Sequence, residues 1–210
     1  MSRRLIDISP PITTQIAVWP GDVPFTRNEN LSIAGGANID LSSITTTVHV
    51  GAHTDGPSHY VGGGQGIGER ALSYYYGDAQ VITVDTAPGE RIRQAHVLVP
   101  IRAPRVLFRT GSYPDPDVFN DDFCSLSPAL IEWLAQEGVR LVGIDTPSID
   151  PASSKDLPSH AMVAAHDLAI LEGIVLGHVA DGVYTLIALP LRIMGADASP
   201  VRAVLVDPGT

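Results

Sequence analysis

Three of the chain's seven histidines, His49, His53 and His59, fall within eleven residues, with Asp55 between the last two. Seven histidines spread evenly over 210 residues would stand about 30 apart, so this crowding calls for a shared partner. Positions 49, 53, 55 and 59 share parity. Wherever the segment is extended, their side chains project to one face, because successive side chains of a strand alternate. Gly51 takes a side chain off that face, and Gly56-Pro57 turns the chain beyond it. Neutral imidazoles and a carboxylate are ligands for zinc or another borderline divalent cation, and three protein ligands leave a position for water. A cation held in this way lowers the pKa of its water to about 7, which supplies a nucleophile without serine or cysteine. A serine hydrolase lacks its signature here, since no Gly-x-Ser-x-Gly elbow occurs. His96, His166 and His178 have no such neighbours and read as ordinary polar residues, and taken alone His160 and Glu172 are equally plain.

The elements that must position these groups are mostly strands. Short β-branched or aliphatic runs predict strands over 44–50, 80–84, 105–109, 139–144, 184–189 and 201–206. Helices are predicted over 127–138 and 159–171. In the first, Ser127 is the N-cap, Pro128 the first helical residue and Gly138 the stop. In the second, Met162, Val163, Ala165, Leu168, Ala169 and Leu171 carry near-helical spacing, and Gly173 ends it. Strands outnumber helices without alternating regularly, which favours an α+β or β-rich α/β layer fold over a doubly wound parallel sheet.

The length predicts one domain spanning residues 1–210. With 44% apolar and 17% charged residues and a mean hydropathy of +0.15, one sizeable core is available. The net charge of −10 opposes a nucleic acid or an anionic membrane as partner. No apolar run approaches the roughly 20 residues of a spanning helix. The basic start, residues 1–4, is followed by Asp7, Pro10 and Pro11 before any apolar signal region, so a cytoplasmic location is expected. Cys124, the single cysteine, excludes an internal disulfide or a thiolate-rich metal site and reads as a buried structural thiol.

The run His49-Val-Gly-Ala-His53-Thr-Asp55-Gly-Pro57-Ser-His59 resembles the His-x-Gly-Thr/Ala-His-x-Asp-x-Pro-x-His signature of the metal-dependent cyclase superfamily. The remainder resembles its bacterial kynurenine formamidase branch, through Trp19-Pro-Gly-Asp22, Arg109-Thr-Gly111, Gly143-Ile-Asp-Thr-Pro-Ser148, Leu168-Ala-Ile-Leu-Glu172-Gly and Asp197-Ala-Ser-Pro-Val-Arg202. The resemblance implies a swivelling β/β/α cyclase-type fold, usually homodimeric, that releases formate from N-formyl-L-kynurenine in tryptophan breakdown. It implies two metal ions, usually zinc, with manganese or another divalent ion as the alternative. His49, His53 and Asp55 would hold the first ion, His160 the second, and Asp55 and Glu172 would touch both. His59 would transfer the proton, and Trp19 would line the substrate pocket, although packing at the N-terminal segment is its plainer use. Arg109 suits either the substrate's amino-acid end or a structural ion pair. Two other readings are hydrolysis of isatin or another cyclic or aryl amide, and a metal-binding module that associates without catalysing. The module would be expected to have lost His59, which is present.

Overall fold

The computed structural model describes residues 4–207 and Gly209; the first three residues of the basic start lie outside it. A seven-stranded sheet runs in the order β1 (Arg4–Asp7), β13 (Val204–Asp207), β11 (Gly182–Ile187), β5 (Tyr76–Thr83), β7 (Arg105–Arg109), β9 (Leu141–Ile144), β10 (Ala169–Leu171). From β5 to β10 the strands are parallel, and from β1 to β5 antiparallel. Three smaller pairs join β2 (Thr26–Leu31) to β3 (Leu41–Thr45), β4 (His53–Asp55) to β12 (Ala198–Pro200), and β6 (Arg91–Ile92) to β8 (Ser125–Leu126). Two helices, α1 (Pro128–Gln136) and α2 (Pro158–Ala165), complete the mixed, β-rich α/β architecture that the strand count favours.

Both faces of the parallel half are covered, as its unbroken apolar strands require. Leu107 of β7 shares one face with Val81, Leu141 and Leu171, while its neighbours Val106 and Phe108 join Ile82, Val142, Ile144 and Ile170 on the other. That second face packs on Leu130, Ile131 and Leu134 of α1. Each such side chain, once fully buried, contributes about 1.5–3 kcal/mol. Helix α1 begins as its sequence dictates: Ser127 Oγ accepts from the Leu130 amide at 3.2 Å, and Pro128 opens the first turn. Among the described residues no helix is long and apolar enough to cross a membrane.

Two sequence expectations are corrected. The strand predicted over 44–50 ends at Thr45, where β3 finishes its pairing with β2. Beyond it Thr47 Oγ1 accepts from the His49 amide at 3.2 Å and Gly51 takes φ of +60°, so His49 stands on a turn. The helix predicted over 159–171 stops at Ala165, and Asp167 turns the chain at φ +51°. Residues 169–171 are β10, in parallel register with Leu141 to Gly143 of β9. The run from Leu168 to Leu171 is apolar on every side chain, which suits a strand buried on both faces better than a helix with one wet face.

Candidate active site

The predicted ligands converge at the carboxyl ends of β9 and β10, where open parallel sheets place their ligands. Strand β4 is tied to the end of β10 by two backbone bonds: the His53 amide donates to Glu172 O at 3.0 Å and the Glu172 amide to His53 O at 2.9 Å. His53 and Asp55 then share a face of β4, while Thr54 between them donates to Ile170 O at 2.5 Å. His49 arrives from the turn before β4, His59 from the 3-10 turn Pro57–His59 after it, and His160 from α2. The alternation rule therefore holds for His53 and Asp55, and turns carry the outer two histidines to the same place.

The crossing of β4 and β10 leaves no room at Gly173, whose φ is +65° and whose Cβ would stand 2.2 Å from Gly51 O. Gly173→Ala is expected to cost about 2–4 kcal/mol, through strain and enforced displacement of Gly51 between His49 and His53. A urea midpoint equal to that of the unmodified chain would contradict this.

Asp55 is the hub. His49 Nδ1 is 3.2 Å and His53 Nε2 3.6 Å from its Oδ1, and His160 Nε2 is 3.6 Å from Oδ2. Glu172 closes the cluster, with Oε2 3.2 Å from His53 Nε2 and Oε1 3.8 Å from His160 Nε2. Asp55, His53, His160 and Glu172 are all nearly fully buried. Yet both Asp55 oxygens lack a hydrogen-bond partner among the described residues. A buried carboxylate with two orphaned oxygens among inward-facing imidazole nitrogens is what a cation site requires, so the residues fit a divalent ion. Glu172 Oε1 also accepts from the Ile149 amide at 2.7 Å, which fixes its carboxylate.

The titration pattern points the same way. Burial alone would lower the imidazole values, but the facing carboxylates of Asp55 and Asp197 raise His49 to about 9, and those of Asp150 and Asp55 raise His160 to about 10. Burial pushes the Asp55 carboxyl up, while His160, His49 and His53 together hold it well below the usual range. The carboxylates favour positive charge here, and a divalent cation held by these residues would meet that demand in place of the protons.

Two acids that the sequence reasoning did not single out support the cluster from behind. Asp150 Oδ2 accepts from His160 Nδ1 at 2.8 Å and from the Ser159 and His160 amides at 3.0 and 3.1 Å, and Arg91 reaches Oδ1 at 2.9 Å. It thereby aims His160 Nε2 at Asp55 and Glu172. Asp197 Oδ2 lies 3.0 Å from His49 Nε2 and 3.2 Å from His59 Nδ1, so one carboxylate orients both rings. The signal for each was an aspartate near a histidine only in space, which spacing does not reveal.

Burial raises the Asp150 carboxyl, but His160 and Arg91 overcome this and hold it at about 2. A depressed acid stabilises the fold above its unfolded value near 4, and that contribution disappears as the pH falls through about 2. Allowing for solvent around Arg91, it is worth about 1–2 kcal/mol. Urea midpoints should therefore fall between pH 5 and pH 2, and Asp150→Asn should flatten that slope; an unchanged slope would refute the assignment.

A cavity of about 540 Å³ opens onto the cluster, and His49, His53, His59, His160 and Glu172 are on its wall. Trp19, Tyr113 and Phe119 supply aromatic surface there. Trp19 both lines the cavity and packs, its ring edge-on to Phe119 at 5.5 Å and to Phe123 at 6.3 Å. Arg109 does not line it; its guanidinium pairs with Asp181 at 3.3 Å and donates to Val179 O, the structural alternative. His178 Nε2 lies 2.9 Å from Asp7 O and His96 contacts the backbone of Arg93, away from the cluster. Cys124 is buried, with Sγ 3.3 Å from Thr86 Oγ1.

A mixed sheet with a carboxylate and imidazole cluster at its strand ends is the framework of a metal-dependent hydrolase, and the chain matches the family described as putative cyclase over residues 6–151. The chain belongs to this cyclase family, on the side of it occupied by the bacterial kynurenine formamidases. The kynurenine formamidase of Bordetella petrii is 44% identical over 211 residues, covering 99% of this chain and 100% of that protein. A solved structure described as a potential metal-dependent hydrolase with cyclase activity superposes with a TM-score of 0.85 at 26% identity, each chain covered completely. Isatin hydrolase A from Labrenzia aggregata shares the fold, with a TM-score of 0.80 at 21% identity over 99% of this chain and 94% of that one.

Proposed function

We propose that the chain hydrolyses N-formyl-L-kynurenine to L-kynurenine and formate. The observation that carries this reading is Asp55, with two buried, unpartnered oxygens facing the imidazoles of His49, His53 and His160, which also line a cavity with aromatic walls. The kynurenine formamidases at 44% identity over the full length supply the substrate. His49, His53 and Asp55 would hold one divalent ion, His160 a second, with Asp55 and Glu172 facing both; zinc is the ion this donor set suits best. When bound, such ions acidify water and stabilise negative charge developing on the formyl oxygen.

The protein's own groups do the rest. Water attacks the formyl carbon, the C–N bond breaks, formate departs, and the aryl nitrogen must gain a proton. His59 carries that proton. In the tautomer that donates Nδ1–H to Asp197, its Nε2 is free to take a proton from the attacking water and return it to the leaving nitrogen. An imidazole does this near neutral pH, where an ordinary carboxylate is too acidic. Trp19 and Phe119 present apolar faces to the substrate ring and keep water from its far side.

Formate release from N-formyl-L-kynurenine by zinc- or manganese-loaded protein tests the reading, with isatin ring opening assayed in parallel. Loaded protein that opens isatin and leaves the formamide intact would overturn it. The isatin hydrolase likeness concerns the fold alone, and a non-catalytic module would have no use for His59 on the cavity wall.

A homodimer and a reducing, cytoplasmic setting belong to the same reading. The β2–β3 hairpin exposes Leu31, Ile33, Ile39, Leu41 and Ile44. A two-stranded hairpin is marginal by itself, so a second copy is its natural cover, and light scattering at twice the chain mass is the result expected.

A further inference from the structure

The cavity that faces the metal ligands carries one permanent cation on its wall, Lys155, which is also the chain's only lysine. A second cavity of about 460 Å³ adjoins it, and His59, Lys155 and Leu157 line both. Asp156 lines the second cavity as well. Among the described residues, the ion pairs of fixed charges run through Arg70, Arg91, Arg109 and Arg202, leaving Lys155 and Asp156 unengaged. The loop that bears them is anchored at both ends: Asp150 is locked by Arg91 and His160, and α2 begins at Pro158. A lysine and an aspartate, adjacent, exposed and unpaired on one wall, form a charge pattern complementary to a zwitterion.

From this geometry we infer that the second cavity is the subsite for the substrate's amino-acid end, Lys155 meeting its α-carboxylate and Asp156 its ammonium. The inference rests on the formamidase reading and adds the feature that selects among formyl anilides. In N-formylkynurenine the amino-acid chain leaves the ring ortho to the formamide, so it must emerge beside whatever group protonates the amide nitrogen. His59 is that group, and with Lys155 and Leu157 it lines both cavities. A ring seated against Trp19 with its formyl carbon over the ligand cluster then directs its side chain past His59 toward Lys155. In a chain of net charge −10, this uncompensated cation is where a carboxylate-bearing substrate gains most.

The test compares two substrates on the metal-loaded enzyme, N-formyl-L-kynurenine and formanilide, which lacks the amino-acid end. Lys155→Met should raise KM for N-formyl-L-kynurenine about 10- to 100-fold with kcat nearly kept, because the lost contact is made equally in ground and transition states. Formanilide kinetics should stay within about two-fold, which also reports that the variant is folded and loaded. Asp156→Asn should give a smaller rise of the same kind, and Lys155→Arg should restore most of the affinity. Equal losses on both substrates, or an unchanged KM for N-formyl-L-kynurenine in Lys155→Met, would overturn the subsite. Unmodified enzyme inert toward both compounds would instead remove the formamidase reading, and the subsite with it.

Discussion

Replacing His59 with asparagine should lower kcat for formate release by about 10²- to 10⁴-fold without loss of bound metal. Asparagine keeps a donor that can reach Asp197 Oδ2 but has no group that gains and returns a proton near neutral pH. His59 side-chain exposure is 32%, against 3% for His160, so its truncation leaves little void and should change stability by less than about 0.5 kcal/mol. Three readouts separate the roles open to it. Low kcat with full metal content identifies the proton carrier. Lost metal would make His59 a ligand, which its closeness to Asp55 and His160 allows geometrically. Full turnover with full metal would pass proton transfer to another group.

The larger effect is expected at Asp55. Asp55→Asn keeps the volume and removes the charge to which three imidazoles point, and it should abolish tight metal binding and lower formamidase turnover by roughly 10³-fold or more. Exhaustive chelation of the unmodified chain should reproduce that loss, with readdition of zinc or manganese restoring it. The chelated chain should also unfold at lower denaturant, since an ion bound only by the native state stabilises in proportion to the logarithm of its concentration over Kd. Elemental analysis and the unfolding midpoint read the metal separately from activity. Chelated protein with undiminished turnover would remove the metallohydrolase reading altogether.

Much of this site was legible before any fold was known, because its chemistry is written in residue types at short range. His49, His53, Asp55 and His59 crowd into eleven positions, and that crowding has few explanations other than a shared ion. The Ser127-Pro128 start and Gly138 end of α1 are equally local, each satisfied by the backbone of its own turn. His160 and Glu172 became legible only through family resemblance, since neither has a chemical neighbour in sequence. The strand misread as the end of α2 shows the limit of periodicity. Four consecutive buried apolar residues, Leu168 to Leu171, satisfy a helical and a strand pattern alike, and pairing with β9 settled the matter.

The sequence by itself determined that the chain is an acidic, core-forming protein with a histidine and aspartate run of the donor types that suit a divalent cation, since charge, hydropathy and donor type are properties of residues. The tertiary structure decided where those ligands point and what stands behind them. Asp150 reaches His160 across ten residues, where the chain turns back so that the first turn of α2 donates to it, and Asp197 reaches His49 and His59 across 148 and 138, where β12 pairs with β4. Lys155 likewise became a candidate only when the fold placed it beside His59 on two joined cavities. Orientation and substrate selection depend on contacts closed over long stretches of chain, and no local pattern encodes those.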